Sequence, residues 1–365
     1  MTTQRWNMVW QWNRRVTAAV FFCLTFSVYA QDENKITSKF DFIPGEKVVY
    51  FDDFTSDNLG DFPALWNTNG SGEIVTSSKY PGRWLQMTAG GYYIPEIVAD
   101  FTDNYTIEFD MVPLNSSNLE TIQGITFLLV SGSLKDPNEG GAVPGKSGLG
   151  ITPEYDMVNW SNWSEADGGY KDNGQSPYMF MSTEMTHISL WIQKQRVRMY
   201  AGNRKILDIP RGLIAPYKYN IFRIQISGEA TPLFSNIRIA AGLPDMRNKL
   251  LTTGKLLSYG IFFDVNSDQV KPESDATLKE IAQVMKDNPQ LSIKIVGHTD
   301  ADGDNALNLD LSKRRGASVK KELVEKFGVE TARLESDGKG ETEPIAANDT
   351  PMNKAKNRRV EFIRK

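Results

Sequence analysis

Cysteine is almost missing from these 365 residues and histidine is scarce: Cys23 stands alone, and His187 and His298 are the two histidines. The cysteine sits in the apolar run "VTAAVFFCLTFSVYA", which follows Arg5, Arg14 and Arg15 and ends on Val28, Tyr29 and Ala30. Basic residues, a short apolar stretch and a small-residue end read as a secretory signal peptide at residues 1–30, cut before Gln31. The run is about fifteen residues, short of the ~20 that a membrane span needs. Cys23 lacks the preceding small residues that a lipidated cysteine wants. The exported chain then has no cysteine, which excludes disulfides, thiol catalysis and cysteine-bound metal. With two histidines, a histidine-rich zinc site is excluded as well. No later stretch is long and apolar enough for a membrane helix.

Basic charge is also in deficit. Taking the three leader arginines from 41 basic residues leaves 38 against 45 acidic ones, a net charge of −7. That balance argues against nucleic acid as a partner. The 335 residues left of 365 suffice for two domains with sizeable cores.

Two patterns divide the chain, without internal repeats or a low-complexity linker. Residues 46–240 alternate like strands: in "YTIEFDMV", Tyr105, Ile107, Phe109 and Met111 share one face, and Thr106, Glu108 and Asp110 the other. "RVRMYAGNRKILDI" reads as a hairpin turning at Gly202 and Asn203. Such runs, broken by Gly, Pro, Asn and Asp clusters, predict an all-β sandwich. A joint follows at 241–254. From residue 255, "GKLLSYGIFFDV" reads as a strand, and Pro272 opens a helix whose Leu278, Ile281, Ala282 and Met285 share a face until Asn288 and Pro289. "LSIKIVGH" is a second strand, and a helix from about Asn305 to Phe327 closes at Gly328. Strands near "RLESDGKG" and "RRVEFIR" complete a βαβαββ, α+β domain at 255–365.

Several apparent sites fail on chemistry. Asp300, Asp302 and Asp304 imitate the start of a calcium loop, but Gly303 stands fourth where the turn glycine should be sixth, and Leu311 replaces the closing glutamate. "GGAVPGKS" fits a phosphate-loop pattern, yet Gly148, Gly150 and Pro153 forbid the helix that such a loop requires. Glu108 and Asp110 lie about 7 Å apart on one strand face, as glycosidase carboxylates might, but an alternating solvated face explains them. His187 precedes a strand with no nearby ligand in sequence. Trp160 and Trp163 in "NWSNWSE" could stack on sugar rings, although packing is the commoner use of tryptophan.

The segment "GHTDADGDNALNLDLSKRR" keeps its interest. Asn308, Leu311, Ser312 and Arg315 share one helix face, and Asp300, at the end of the preceding strand, can meet it. An aspartate attracts an ammonium, and an arginine fork takes a carboxylate by two parallel bonds, so the pair suits a zwitterionic amino-acid head. An internal Asp-to-Arg salt bridge is the structural alternative.

"FFDVNSDQVKPES", "IKIVGHTDADG", "NLDLSKRRGASV" and "NRRVEF", in this order and spacing, resemble the OmpA C-terminal family of peptidoglycan-binding domains over residues 255–365. The resemblance implies a site for the diaminopimelate of the wall peptide, with Asp300 and Arg315 as its charged residues, Asn308 and Leu311 as pocket residues and Thr299 beside the aspartate. Gly316 replaces the family's usual alanine, which loosens an isolated helix by ~1 kcal/mol. Arg358 and Arg359 are assigned to supporting the sheet. The first half, through "VVYFDDFTSDNLGDFPALWNTNGSGEIV" and the Gly202 hairpin, more weakly resembles laminin-G or concanavalin-like jelly rolls. The implied protein is a non-enzymatic periplasmic envelope protein, associated with the wall and the outer membrane side. It needs no cofactor, metal or catalytic residue, and its sandwich meets a glycan or an envelope protein. A wall-tethered glycan hydrolase is the enzymatic alternative, and an outer-membrane barrel at 46–240 a third, disfavoured by the small number of strands of the ~9 to 11 residues that barrels use.

Overall fold

The computed structural model describes residues 40–365 except 98–100, 115–121, 134–135, 137–142 and 243–244. The signal peptide and Gly140 to Ala142 of the phosphate-loop look-alike lie outside the described residues.

The alternating run around Phe109 forms the strand Asn104–Val112, paired antiparallel with Thr186–Gln193 on one side and Leu233–Ala241 on the other. Among the described residues these belong to an eight-stranded sheet that faces a seven-stranded one. Phe109 meets Phe127 and Phe222 of the second sheet at ring separations of 5.0 and 5.7 Å, so the two sheets pack face to face. The hairpin at Gly202 is present, joining Arg196–Ala201 to Arg204–Ile209, with Gly202 at φ 52°. Ser147, the last residue of the phosphate-loop look-alike, opens the strand Ser147–Glu154, where no helix follows to hold a phosphate.

The C-terminal half carries four strands in the spatial order Lys255–Ser258, Arg359–Arg364, Ile293–His298, Leu334–Gly340; the last pair is parallel and the others antiparallel. The helices Asp275–Asp287 and Asn305–Glu325 connect them, and Leu278, Ile281, Ala282 and Met285 are buried as their spacing requires. One element corrects the βαβαββ order. A helix Pro351–Asn357 precedes the last strand, its first turn capped by the Thr350 hydroxyl, which accepts from the Asn353 amide. Seven residues are too few for a helical period to show in sequence. The joint is also more structured than its composition implied: Met246 and Leu250, in helical turns within 246–253, are buried in the C-terminal core.

The main correction concerns the polar face of Asn104–Val112, which is covered rather than solvated. Glu108 is 1% exposed and Thr106 likewise. Residues 40–46 run across this face, where the Gly45 amide donates to the Thr106 hydroxyl (3.0 Å) and Arg238 to the Gly45 carbonyl (3.1 Å). The C-terminal domain closes over it: the His187 ring packs against Phe262 at 5.4 Å, and the Arg238 guanidinium lies 5.4 Å from the Tyr259 ring centre. Arg238 donates to Glu108. His187 therefore does have partners, the Asp110 carboxylate 2.7 Å from Nδ1 and the Glu108 carboxylate 3.8 Å from Nε2. The cross-strand register of Thr186–Gln193 on Asn104–Val112 brings them together, a pairing that the linear sequence does not display.

Burial opposes a charge on His187, but the hydrogen bond to Asp110 and the neighbouring Glu108 outweigh it and push the imidazole up to about 10. Asp110 is held below the usual carboxylate range by His187, against its own burial. A raised folded-state pKa stabilises fully below the free imidazole value and is lost as pH climbs through the folded one. Thermal melting of the wild type should therefore fall from pH 7 towards 10, whereas His187→Gln should melt lower at pH 7 and show a flatter profile across that window. Parallel profiles would place the imidazolium elsewhere.

Candidate functional site

The site grows from the end of the strand Ile293–His298. Thr299 is buried, its amide donating to the Gly340 carbonyl (3.0 Å) and its hydroxyl without a hydrogen-bond partner among the described residues. Asp300, 8% exposed, comes next. One of its oxygens accepts from the Asp302 amide (3.1 Å), and the other from Arg358 Nη1 (2.6 Å). Asp304 then starts the long helix by accepting from the Ala306 and Leu307 amides at 2.9 and 3.0 Å. Asp302 turns outward to Lys354 (2.8 Å). The three aspartates thus serve different partners, and among the described residues no set of three histidine, cysteine or carboxylate groups gathers as metal ligands.

Asn308 ties the loop to the helix. Its amide nitrogen donates to the carbonyls of Asp300 (3.4 Å) and Asp302 (3.0 Å) and to the Glu341 carboxylate (2.7 Å). Ser312, one turn on, is fully buried; its hydroxyl donates to the Leu309 carbonyl and accepts from the Gly340 amide, each at 2.8 Å. Leu311, on the same face, is half-buried.

Arg315 is held differently from an ion-paired residue. Nε donates to the Ser267 carbonyl (2.9 Å) and Nη2 to the Asp264 carbonyl (3.2 Å), with the guanidinium 4.8 Å from the Phe263 ring centre. Among the described residues it has no carboxylate at ion-pair distance: the salt bridge weighed as the structural alternative, Asp300 to Arg315, does not form, and Asp300 pairs with Arg358 instead. Burial, reinforced by the neighbouring Arg314, pulls the Arg315 guanidinium down to about 10, and Asp300 is among the charges acting the other way. The arrangement leaves a desolvated cation near a buried carboxylate, which suits a ligand group of opposite charge.

The assignment of Arg358 and Arg359 is corrected for one of the pair. Arg359 does support the sheet, donating to Glu361 (2.9 Å) and to the Glu343 carbonyl (2.9 Å). Although burial opposes it, the neighbouring His298 ring 3.6 Å away and the Lys255 and Arg359 cations at 2.7 Å bring the Glu361 carboxyl down to about 2. Arg358 leaves the sheet and reaches Asp300. No local pattern marks it, because its partner is 58 residues away.

Close packing places the helix. A Cβ at Gly316 would lie 2.5 Å from the Asp337 carbonyl oxygen, and one at Gly338 would collide with the Lys313 amide. Glycine at 316 thus does more than loosen a helix: it lets the helix settle on the strand Leu334–Gly340. Gly316→Ala should destabilise by ~1 to 3 kcal/mol through overpacking, despite the better helix propensity of alanine. Chemical denaturation checks this, and a stabilised variant would refute the close approach.

The tryptophans separate. Trp163 is buried, its Nε1 donating to the Pro144 carbonyl (3.1 Å), which is packing. Trp160 is partly exposed and borders a hollow of about 320 Å³ on the seven-stranded sheet, lined by Thr152, Asn159, Ser161, Asn173, Gly174 and Gln175.

Residues 262–358 match the model of the OmpA family. Outer membrane porin F of Pseudomonas aeruginosa is 43% identical over 99 residues, 27% of this chain and 28% of that protein. Outer membrane protein A of Bordetella avium is 44% identical over 101 residues, 28% of this chain and 52% of that protein. The peptidoglycan-associated lipoprotein from Burkholderia pseudomallei, a solved structure, is 30% identical and aligns with 33% of this chain and 98% of that one, at a TM-score of 0.29. The chain spans about half or less of the length of the two curated relatives.

Proposed function

We propose, from the premise that residues 262–358 form an OmpA-family domain, that this protein binds peptidoglycan non-covalently and without catalysis, through the diaminopimelate of the stem peptide. Its relatives bear the names of outer membrane proteins, and the chain is an envelope protein like them. The observation that carries the reading is Arg315, a half-buried guanidinium held by two backbone carbonyls with no acid partner among the described residues. The free end of diaminopimelate bears an ammonium and a carboxylate. Asp300 receives the first and Arg315 the second, each charge-assisted bond contributing ~1.5 to 3 kcal/mol. Asn308, Leu311 and Thr299 shape the pocket between them, and the unpartnered Thr299 hydroxyl is a ready donor or acceptor. Glu108 and Asp110, the pair a hydrolase would need, are engaged by Arg238 and His187 beneath the C-terminal domain, which favours binding over hydrolysis.

For the sandwich, uncharged hydroxyls and amides around the Trp160 hollow support a glycan more than a charged protein surface as the partner.

Purified sacculi should retain the full chain, and free diaminopimelate should compete. Asp300→Ala and Arg315→Ala should each nearly abolish retention while circular dichroism stays native; a melting temperature lowered by many degrees would instead make these residues structural. The carboxylate contact has its own test. Lysine-type muropeptide lacks the group assigned to Arg315, so it should bind roughly ten- to a hundredfold more weakly than the diaminopimelate type, the equivalent of ~1.5 to 3 kcal/mol. Arg315→Lys should not restore the preference, since an ammonium cannot make the planar two-bond contact. Equal calorimetric affinities for the two muropeptides would sink the clamp.

A further inference from the structure

We infer that the sandwich domain sets the strength of the wall contact by competing, through Asp53 and Phe51, for the arginine that occupies Asp300. The inference rests on the assignment of Asp300 to the ligand ammonium. Arg358 bridges the two domains: Nη1 lies 2.6 Å from Asp300, Nη2 lies 3.4 Å from the Asp53 carboxylate, and the guanidinium sits 5.0 Å from the Phe51 ring centre. Phe51 belongs to the first described sandwich strand, Lys47–Asp52, against which the helix Pro351–Asn357 packs. Asp53 is pinned, its other oxygen accepting from the Thr55 amide (3.2 Å) and hydroxyl (2.7 Å).

The charges determine the direction of the effect. An ammonium arriving at Asp300 meets the positive charge of Arg358 on the same carboxylate, so binding is weakened to the extent that Arg358 stays there. Asp53 and Phe51 already touch that guanidinium, more loosely than Asp300 does, and give it a carboxylate and an aromatic face to shift onto when Asp300 is taken. Lys354, another cation near this loop, is already engaged by Asp302. Arg358 therefore rests mainly on Asp300 in the free protein and moves towards Asp53 as the ammonium takes its place. Coupling of this kind is reciprocal: whatever a partner does to the Lys47–Asp52 edge of the sandwich is felt at the wall site, and wall binding is felt at that edge.

Calorimetry of the full chain with a diaminopimelate-containing muropeptide tests this. Asp53→Asn should weaken binding about two- to fivefold, the scale of a partly exposed ion pair. Arg358→Gln should strengthen it, and in that background Asp53→Asn should have no further effect. Phe51→Leu, which removes the ring but keeps an apolar strand residue, should weaken binding in the same direction and provides the reading if Asp53→Asn fails to fold. Wild-type affinity in Asp53→Asn, an undiminished Asp53 effect without Arg358, or weaker binding by Arg358→Gln would each overturn the inference. Absence of binding by the wild type is a different result, and would overturn the diaminopimelate assignment itself.

Discussion

The contact between the two domains turns on the charged outer face of one sandwich strand. Glu108 and Asp110 project from Asn104–Val112 and would be costly to bury alone, since an unpaired internal charge costs several kcal/mol. Arg238 and His187, delivered by the two flanking strands, neutralise them in place. The C-terminal domain can then close over the cluster with Phe262 and Tyr259 as its contact rings. Such a contact is directional in a way that an apolar one is not, because each charge needs its own partner at hydrogen-bond distance. The two domains are thereby held against each other at this face.

That docking has a consequence at the far edge of the interface. With the domains held by the His187 cluster, the first sandwich strand lies along the helix Pro351–Asn357, and Asp53 comes within reach of Arg358. The Asp300 loop of the OmpA-family domain is thereby joined to a domain with its own polar hollow. The Arg358 bridge is a direct physical link between that domain and Asp300.

Within the C-terminal domain the site depends on close approach. The long helix rests on a glycine-bearing strand, and its buried Asn308 and Ser312 fasten the loop and the neighbouring strand by hydrogen bonds. Arg315 emerges from the same face and is steadied by the Asp264 and Ser267 carbonyls. Two carbonyl contacts and an aromatic face fix the orientation of the guanidinium, which among the described residues has no carboxylate at ion-pair distance. Preorganisation of this sort lowers the entropy lost on binding.

The sequence by itself determined the elements whose signal is local and periodic. Alternation marked Asn104–Val112, the glycine turn marked the hairpin, and helical spacing marked Asp275–Asp287 and the shared face of Asn308, Leu311, Ser312 and Arg315. It also separated an all-β half from an α+β half, because periods of two and of 3.6 residues are legible in one dimension. Tertiary structure decided what each polar face meets. An outward strand face looks the same in sequence whether water or another domain covers it, so the burial of Glu108 and the partners of His187 were invisible. The helix Pro351–Asn357 is too short to show a period. The pairing of Asp300 with Arg358 rather than Arg315 arises because the turn after that helix delivers a residue from far along the chain to the end of the strand Ile293–His298, and only the folded sheet sets that distance.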